Sequence, residues 1–542
     1  MQQLQNLAAA QRWSDIVASL SPVPVRSAEM DFYQGIALAQ LGRLTEAQTA
    51  LETGRRLAPA DPRFSVELAG IAFRQKDYPL AVRRMRRALR LNPGDSYAND
   101  FLGTVYFLEG NLEAALKYWN RVGKPYVANT REDPKPRISA ALLDQAFAFS
   151  PASTLTLPQF QDSAERLRGL GVFPQFHFDL SALPGGEFDL IFRARELDGF
   201  GDSKVEALLR FFQGAPFQEV NPSFYNLHRE AINFNSMFRW DAQKRRIFVD
   251  FSGPFEHGAK ERWQLTTDLR SENWAIRNGS AGPAPVLASF NMRQVRLAFD
   301  LASNASARLG WSLGAEVSHG DFRSVAPGAV SGSTPTPVLT PQMLATGYQL
   351  KQRAQFSSTL WSVPERRFAL SARAASDAAR LWSQPAETFE KLAASLGWHW
   401  FPQAKGDDYE TSQQLRAGCT FGQVPFDELF ILGLERDNDL PLRAHIGTRD
   451  GRKGSAPLGR NYLLENWETN KNIYGNGIVE LQVGPFFDFG KITDIGTDLG
   501  SHQWLFDTGL QAKLRVFGTG LIFSYGKDLR TGNNAFYLTP FE

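Results

Sequence analysis

The feature that most constrains this chain is the alternation of apolar and polar residues within residues 204–542. In one run, Leu309, Trp311, Leu313, Ala315 and Val317 are separated by Gly, Ser and Glu. Successive side chains of a β-strand point to opposite faces, so such runs predict strands with one apolar and one polar face. Similar runs lie at 263–270, 295–301, 368–374, 392–400, 415–421 and 510–516. The segment therefore predicts a large antiparallel β domain.

Two properties of these runs favour a membrane-spanning barrel over a soluble β domain, which is the alternative. Many runs approach nine or ten residues, about the length of a tilted strand that crosses a bilayer. The polar face often carries charges, and the apolar face ends in aromatic residues, as in barrels with a polar lumen and aromatic girdles. The 41 Phe, 12 Trp and 13 Tyr of the chain fit this pattern. The segment has room for about 14–16 strands.

The first 125 residues follow a 34-residue period instead. Small residues, and the prolines after them, recur at this spacing: Gly35, Ala69 and Gly103; Ala47, Ala81 and Ala115; Pro59 and Pro93. Small residues let two helices approach closely, and proline ends the second helix of each pair. The columns resemble the tetratricopeptide repeat. The resemblance implies an all-α solenoid over residues 1–125 that binds proteins or peptides along a concave face.

A run of arginines crowds one predicted helix of this array, at positions 83, 84, 86, 87 and 90. It has two interpretations. The run could bind an acidic partner or anionic lipid headgroups. More commonly, a charge run of this kind is a solvated helix face.

A small α+β module is predicted at 138–200, after a polar linker at 126–137 that contains two prolines. The predicted elements are a strand at Leu143–Phe149, a helix from Pro158, and a hairpin of Gln175–Leu180 and Phe188–Ala194 around Pro184-Gly185-Gly186. The string from Leu167 to Phe173 before this hairpin resembles the end of a POTRA domain, the polypeptide-transport-associated module. The resemblance covers about 60 residues, and one of the two helices expected in such a module is short or absent.

The barrel segment carries a further motif, Phe486-Phe487-Asp488-Phe489-Gly490, with Gly433 and Leu442-Arg443-Ala444-His445 upstream. These residues resemble the superfamily of outer-membrane protein assembly factors and two-partner secretion transporters. The resemblance implies POTRA modules before a barrel of 16 strands, and a loop folded into the lumen whose arginine binds the aspartate of the motif.

Carried over to this chain, the loop arginine is Arg443 and its partner is Asp488. Glu480 lies eight residues before Asp488, so it shares the lumen face and is expected to join the pair. Ala444 and His445 stand where the family has Gly and an aromatic residue, and Arg460 is an alternative loop arginine. Gly532–Phe541 is expected to form the closing strand of the barrel.

Catalytic motifs are weak in this chain. Gly310-Trp311-Ser312-Leu313-Gly314 matches a nucleophile elbow but lies inside an alternating run, not at a strand–turn–helix junction. The seven His show no metal-ligand spacing, and the single Cys419 cannot form an internal disulfide or a cysteine-based zinc site. No phosphate-binding loop is present, and the net charge of +2 gives no argument for a nucleic-acid partner. We expect no enzymatic activity, no catalytic residue, no metal and no cofactor.

The resemblance to outer-membrane protein assembly factors and two-partner secretion transporters implies a bacterial outer-membrane barrel that inserts or translocates polypeptides. Its N-terminal modules would lie in the periplasm and capture client polypeptides or assembly proteins, and outer-membrane lipid would surround the barrel. Alternatives are a polysaccharide export porin or a surface-lipoprotein assembly modifier, since both combine tetratricopeptide repeats with barrels, and less favourably a barrel-borne enzyme. Residues 1–5 lack a basic region and no apolar stretch follows, so we expect that the chain begins downstream of its signal peptide.

Overall fold

The computed structural model describes residues 1–200, 204–212, 214–277, 284–326, 338–383, 386–403, 406–476, 479–494, 497, 499–501, 503–516 and 519–541. The chain forms two compact units. One comprises 1–127, 152–157 and 185–187, and the other comprises 128–151, 158–184 and 188–542. No helix in the described ranges is both long and apolar enough to cross a membrane.

The first unit is an array of helices in which consecutive helices pack as pairs. The helices are α1 (Gln2–Ala9), α2 (Trp13–Leu20), α3 (Ala28–Gln40), α4 (Leu44–Leu57), α5 (Pro62–Arg74), α6 (Tyr78–Leu91), α7 (Ser96–Leu108) and α8 (Leu112–Trp119). Side chains of Asp61, Asp77, Asp95 and Asn111 cap α5 to α8 by accepting backbone N–H groups. The all-α array predicted from the 34-residue period is confirmed.

The repeated small residues lie where neighbouring helices approach each other. A Cβ at Gly35 would lie 2.4 Å from Leu51 Cγ, and one at Gly103 would lie 2.2 Å from Trp119 Cδ1. Ala47, Ala69, Ala81 and Ala115 are fully buried. Pro59 and Pro93 each follow the end of a helix, α4 and α6, by two residues.

The arginine run lies on α6, and two of its members bind the preceding repeat. Arg84 pairs with Glu52 of α4, and Arg87 Nη2 donates to the carbonyl of Pro59 at 3.5 Å. These two arginines therefore take part in the contact between repeats, which the sequence pattern alone did not indicate.

Between the helical array and the barrel the chain forms β1 (Tyr126–Glu132), α9 (Ala140–Ala146), β2 (Ser153–Thr154), α10 (Leu157–Leu170), β3 (Gln175–Ala182) and β4 (Phe188–Arg195). The predicted helix from Pro158 and the hairpin β3–β4 are present, and the turn glycines Gly185 and Gly186 adopt positive φ of 102° and 85°.

Two predictions for this region are wrong. Residues 126–132 are a strand, not a linker, so ordered structure begins before residue 138. Val127 of this strand is buried and pairs with Ser153. Leu143 belongs to a helix, not a strand, because Ser139 caps Leu142 and the apolar residues Leu142, Leu143 and Ala146 form one buried helical face.

Most of the second unit is an antiparallel sheet that closes on itself. Its wall strands are β5 (Glu219–Val220), β6 (Ser223–Leu227), β7 (Ile232–Trp240), β8 (Lys244–Pro254), β9 (Glu261–Arg277), β10 (Val286–Ser303), β11 (Leu309–Arg323), β12 (Gly347–Val363), β13 (Phe368–Trp382), β14 (Glu387–Trp400), β15 (Tyr409–Gly422), β20 (Asn461–Gly475), β21 (Val479–Thr493), β22 (Leu505–Val516), β23 (Thr519–Asp528) and β24 (Asn534–Phe541). The predicted large antiparallel barrel is confirmed.

The described wall has fifteen strands when β5 and β6 are taken as one strand interrupted at Asn221-Pro222. Pro222 cannot donate to a ladder, which explains the interruption. The barrel does not begin with a strand at residue 204. Lys204–Phe212 forms α11 instead, because Val205, Leu208, Leu209 and Phe212 recur at helical spacing. The wall strands therefore start at Glu219.

The two faces of the wall differ as the alternation predicts. On β10, Val295, Leu297 and Phe299 are each about half exposed on the outside, whereas Gln294 and Asp300 are buried on the inside. Large exposed aromatic residues lie at or near the strand ends, including Trp240, Tyr348, Trp361, Trp382, Trp400, Tyr409 and Tyr474. An apolar outer band between aromatic ends is the surface that a bilayer requires. Ser312 lies inside β11, so its motif has no strand–turn–helix context.

Candidate functional site: a loop held in the barrel lumen

The candidate site is the loop of residues 423–460, which connects β15 to β20. It contains the short strands β16 (Phe430–Ile431), β17 (Thr448–Arg449), β18 (Arg452–Lys453) and β19 (Leu458–Gly459). Its side chains are largely buried, and they bind residues of wall strands from β8 to β23. Because these partners surround the lumen, the loop fills the space inside the barrel.

Arg443 at the loop tip binds Asp488 of β21. Arg443 Nε donates to Asp488 Oδ2 at 2.9 Å, and Nη2 donates to Oδ1 at 2.6 Å. The backbone N–H of Arg443 also donates to Asp488 Oδ2, at 3.1 Å. This is the two-pronged geometry that guanidinium and carboxylate groups share, and lysine cannot reproduce it. Both side chains are buried, so neither charge can turn to bulk water instead.

The third guanidinium nitrogen of Arg443 binds residues that sequence reasoning did not identify. Arg443 Nη1 donates to Glu468 Oε2 of β20 at 3.0 Å and to Gln511 Oε1 of β22 at 2.9 Å. The guanidinium also lies over the ring of Phe486, 3.9 Å from its centroid. All five donors of an arginine need partners when buried, and this pocket supplies a carboxylate, an amide and an aromatic face.

Glu480 does not join this pair, and that prediction is wrong. It pairs with Arg515 at 3.3 Å. Eight residues of a strand span about 26 Å, so a residue on the same face at that spacing lies far along the barrel from Asp488. The second carboxylate comes instead from the neighbouring strand, where Glu468 is paired with Phe486 across the ladder. The alternative loop arginine, Arg460, lies 3.4 Å from Asp494 and does not occupy the tip.

Three aspartates line up across three neighbouring strands beneath the loop tip. Asp488 of β21 is opposite Asp507 of β22, and Asp507 is opposite Asp528 of β23. All three are buried. Adjacent buried carboxylates repel one another, so this row requires positive charge or N–H donors from the loop.

His445 and the backbone of Ala444 supply donors to the rest of the row. Ala444 N donates to Asp507 Oδ2 at 2.7 Å, and His445 Nδ1 lies 3.0 Å from the same oxygen. His445 Nε2 lies 3.8 Å from Asp528 Oδ2. His445, which stands where the resemblance expects an aromatic residue, thus binds the aspartate row through its ring nitrogens. Among the described residues, His445, Asp507 and Asp528 are also the group whose ligand atoms are close enough to hold a metal ion.

Glycines give the loop its close fit. A Cβ at Gly526 of β23 would lie 2.2 Å from the carbonyl oxygen of Arg443. A Cβ at Gly433, one of the motif positions, would lie 2.5 Å from the carbonyl oxygen of His445. At the other motif glycine, Gly490, a Cβ would lie 3.1 Å from the carbonyl oxygen of Leu463. Side chains at the first two positions would displace the loop tip.

Other parts of the loop are held by ion pairs to distant strands. Glu428 pairs with Lys351 of β12 at 2.7 Å, and Lys453 pairs with Glu272 of β9 at 2.8 Å. Asp437 lies 2.8 Å from Lys453. Burial opposes ionisation of Asp437, but Lys453 and the surrounding arginines outweigh it and hold its pKa well below the usual range. The loop is therefore anchored on opposite sides of the lumen.

The α+β module binds one end of the barrel within the second unit. Arg262 Nη1 and Asn233 Nδ2 both donate to the carbonyl of Leu170, at 2.9 and 3.0 Å. Ala307 N donates to Asp162 Oδ1 at 2.9 Å, and Ser139 N donates to the carbonyl of Arg229 at 2.7 Å. The turns β6–β7 and β10–β11 and the start of β9 thus form the face of the barrel on which this module sits.

The tetratricopeptide repeat model matches residues 32–96 and 77–126. A search of curated proteins finds no significant match.

The solved structures that are similar to this chain include the following three. BamA from Haemophilus ducreyi lacking POTRA domains 1–3 has a TM-score of 0.42 and 12% sequence identity, and the match covers 77% of this chain and 84% of that chain. CdiB from Escherichia coli has a TM-score of 0.48 and 12% identity, with coverage of 77% of this chain and 75% of that chain. CdiB from Acinetobacter baumannii has a TM-score of 0.44 and 10% identity, with coverage of 76% of this chain and 73% of that chain.

Proposed function

We propose that this protein is an outer-membrane barrel that translocates or inserts polypeptides, without enzymatic chemistry. The observation that carries the proposal is the binding of Arg443 by Asp488, Glu468 and Gln511 inside a closed barrel. A loop anchored by charges on several strands fills the lumen, and releasing those charges opens it. Such an arrangement suits a gate for a large, extended cargo.

The α+β module and the helical array supply the capture step of this proposal. The module, which we take to be POTRA-like, exposes strands that a client polypeptide can extend by strand addition. The tetratricopeptide array offers a concave surface for client or assembly proteins. In this proposal both lie in the periplasm, and outer-membrane lipid contacts the apolar outer band of the barrel.

The second candidate function is export of a polysaccharide, or surface-lipoprotein assembly, by a barrel with a tetratricopeptide scaffold. The helical array agrees with that candidate. The module docked on the barrel and the Arg443–Asp488 contact favour polypeptide transport, because the resemblance to assembly factors and two-partner secretion transporters implies both features.

The test compares three versions of the protein in the bacterium of origin, after deletion of the native gene: wild type, Arg443→Ala and Arg366→Ala. Arg366 is an exposed arginine on the turn between β12 and β13. Quantitative proteomics of the outer membrane and the medium, together with an assay of extracellular polysaccharide, is the measurement.

Loss of particular surface or secreted proteins on deletion, restored by wild type and Arg366→Ala but not by Arg443→Ala, is the expected result. Loss of extracellular polysaccharide with an unchanged protein profile would replace the proposal with the second candidate.

A further inference from the structure

A cavity of about 740 Å³ lies inside the second unit, between the α+β module and the lumen loop. At one end it is lined by Gly171 and Phe173 of the module, and at the other by Arg436 of the loop. The side wall includes Asn233, Asn235, Met237 and Arg239 on alternate positions of β7. Six residues of a strand span about 20 Å, so the cavity is an elongated passage and not a compact pocket.

The lining of this passage is strongly basic. Arginines line it from the module to the loop: Arg195, Arg239, Arg246, Arg262, Arg436 and Arg515, with Arg168 at the rim. Among the described lining residues, Glu219 is the one acidic side chain. Carboxylates behind the lining offset part of this charge: Asp268 pairs with Arg246 at 2.9 Å, Glu480 pairs with Arg515 at 3.3 Å, and Asp437 lies 3.8 Å from Arg239. The surface that faces the cavity still has more arginines than carboxylates. Low-dielectric walls with an excess of one charge concentrate ions of the opposite sign, so the passage favours anionic groups.

The inner end of the passage has more guanidinium donors than acceptors. Arg239 Nε donates to Glu219 Oε2 at 2.9 Å, and Arg436 Nη1 lies 2.8 Å from the same oxygen. One carboxylate is thus shared by two arginines. The Arg436 side chain is only 8% exposed and its guanidinium lies over the ring of Phe217, 3.4 Å from the centroid, yet none of its three nitrogens makes an aligned hydrogen bond. Arg239 Nη1 also lacks an aligned hydrogen bond and lies 3.8 Å from Asp437 Oδ1.

Buried donors without aligned acceptors are costly, and a ligand that brings acceptors would relieve that cost. Carboxylates are suitable ligands because they accept hydrogen bonds from arginine in pairs. Arg262 lies at the module end of the passage. It donates to the carbonyls of Leu170 and Ala231 and to Ser252 Oγ, which are neutral acceptors.

We infer that this arginine-lined passage receives acidic stretches of the client polypeptide on their way from the module to the lumen loop. The inference rests on the proposed function, and it adds the chemical class of the cargo. An extended chain with several carboxylates matches an elongated passage with several arginines, whereas a single small anion would contact only part of it.

The test measures binding of a fluorescent oligoglutamate peptide to the full chain in lipid nanodiscs by anisotropy, with an oligoglutamine peptide as neutral probe. The variants are Arg436→Gln and Arg366→Gln. Both remove one positive charge, but Arg366 lies on an exposed turn and does not line the passage. Folding of both variants is checked by electrophoretic mobility with and without boiling.

We expect oligoglutamate to bind the wild type and Arg366→Gln alike, and Arg436→Gln about tenfold more weakly, the size of effect given by loss of a charged hydrogen bond. Oligoglutamine should not bind. Equal binding of oligoglutamate to all three proteins, or equal binding of the two peptides, would overturn the inference.

A second measurement keeps the inference testable if Arg436→Gln fails to fold. In planar bilayers under a salt gradient, the wild-type protein should prefer anions, and a preference for cations would overturn the inference. If oligoglutamate binding does not depend on Arg436 or on peptide charge while protein transport is intact, the inference is refuted and the proposed function stands. Peptide binding without any protein-transport defect on gene deletion would refute the proposed function and leave an anion-binding passage.

Discussion

At the residue scale, the lumen loop depends on a few buried polar contacts, each with a defined geometry. The tip residues Arg443, Ala444 and His445 bind a row of three aspartates that neighbouring strands bring into register. Breaking a buried ion pair on one side leaves an uncompensated charge, which typically costs about 3–5 kcal/mol. Single substitutions at the tip should therefore have large effects.

The first prediction concerns the shape of the Arg443 side chain. Arg443→Lys keeps the charge but loses the two-pronged contact with Asp488, so the loop should be held less firmly. Arg443→Ala should lose about 3–5 kcal/mol of loop anchoring. Single-channel conductance in planar bilayers is the measurement, and we expect conductance to rise from wild type to Lys to Ala. Equal conductance of wild type and Arg443→Ala would show that the loop does not depend on this contact.

The second prediction concerns the space under the loop tip. Gly526→Ala places a methyl group 2.2 Å from the carbonyl oxygen of Arg443, so the tip must move away from β23. Gly320→Ala on β11 is the matched control, because a Cβ there has nothing within 4 Å. Conductance should rise for Gly526→Ala only. An unchanged conductance for Gly526→Ala would mean that the tip does not rest on β23.

At the element scale, the helices and strands are stabilised by different surfaces. The helices of the first unit pack through small residues against large ones, and the wall strands need an apolar outer face and a polar inner face. A larger side chain where two helices touch should therefore destabilise that helix pair, and a charge on the apolar outer face should destabilise that strand.

The third prediction concerns the helix pair α7–α8. Gly103→Ala places a methyl group 2.2 Å from Trp119 Cδ1, and such overpacking typically costs about 1–3 kcal/mol. Gly70→Ala on α5 is the control, since a Cβ there has nothing within 4 Å and alanine favours the helix. Hydrogen exchange of the full chain should show faster exchange in α7 and α8 for Gly103→Ala only. Unchanged exchange would contradict the close approach of these helices.

The fourth prediction concerns the outer face of β10. Leu297 is 50% exposed there, and a lysine at the bilayer midplane costs about 2–4 kcal/mol. Gln294→Lys on the inner face of the same strand is the control, because the new cation would lie beside Asp427, to which Gln294 now donates. Unfolding by urea in lipid vesicles should show a lower midpoint for Leu297→Lys and little change for Gln294→Lys. A lower urea midpoint for Gln294→Lys than for Leu297→Lys would show that the outer and inner faces of β10 have been exchanged in this assignment.

At the scale of the whole molecule, closure of the sheet is what makes a membrane barrel possible, since it leaves no unpaired edge strand in the hydrocarbon. In the described wall, each strand is antiparallel to the next from β7 to β24, with the lumen loop inserted between β15 and β20. A closed ladder resists dissociation in detergent until it is heated.

The fifth prediction follows from that resistance. When the chain is expressed behind a signal peptide, it should appear in the outer-membrane fraction and change its electrophoretic mobility on boiling. The physical reason is that the closed barrel stays compact in cold detergent and unfolds only when heated. A soluble product whose mobility does not depend on boiling would contradict the membrane barrel.

The sequence alone was sufficient for the repeating features of the protein. The 34-residue period predicted the helical array because each repeat has the same local packing. The alternation predicted the wall strands because the two faces of each strand meet different surroundings, the outside of the barrel and its lumen. The family resemblance carried by the motif Phe486–Gly490 also pointed to Arg443 and Asp488, which the structure brings into contact.

Only the tertiary structure decided which residues meet across the lumen. Glu468, not Glu480, joins Arg443, and Asp507 and Asp528 extend the aspartate row, because the register between neighbouring strands sets those contacts. The arginines of the passage likewise come from the module, the wall and the loop. Period and alternation are local properties that one stretch of sequence carries. Register and closure depend on pairing between distant segments, which no single stretch specifies.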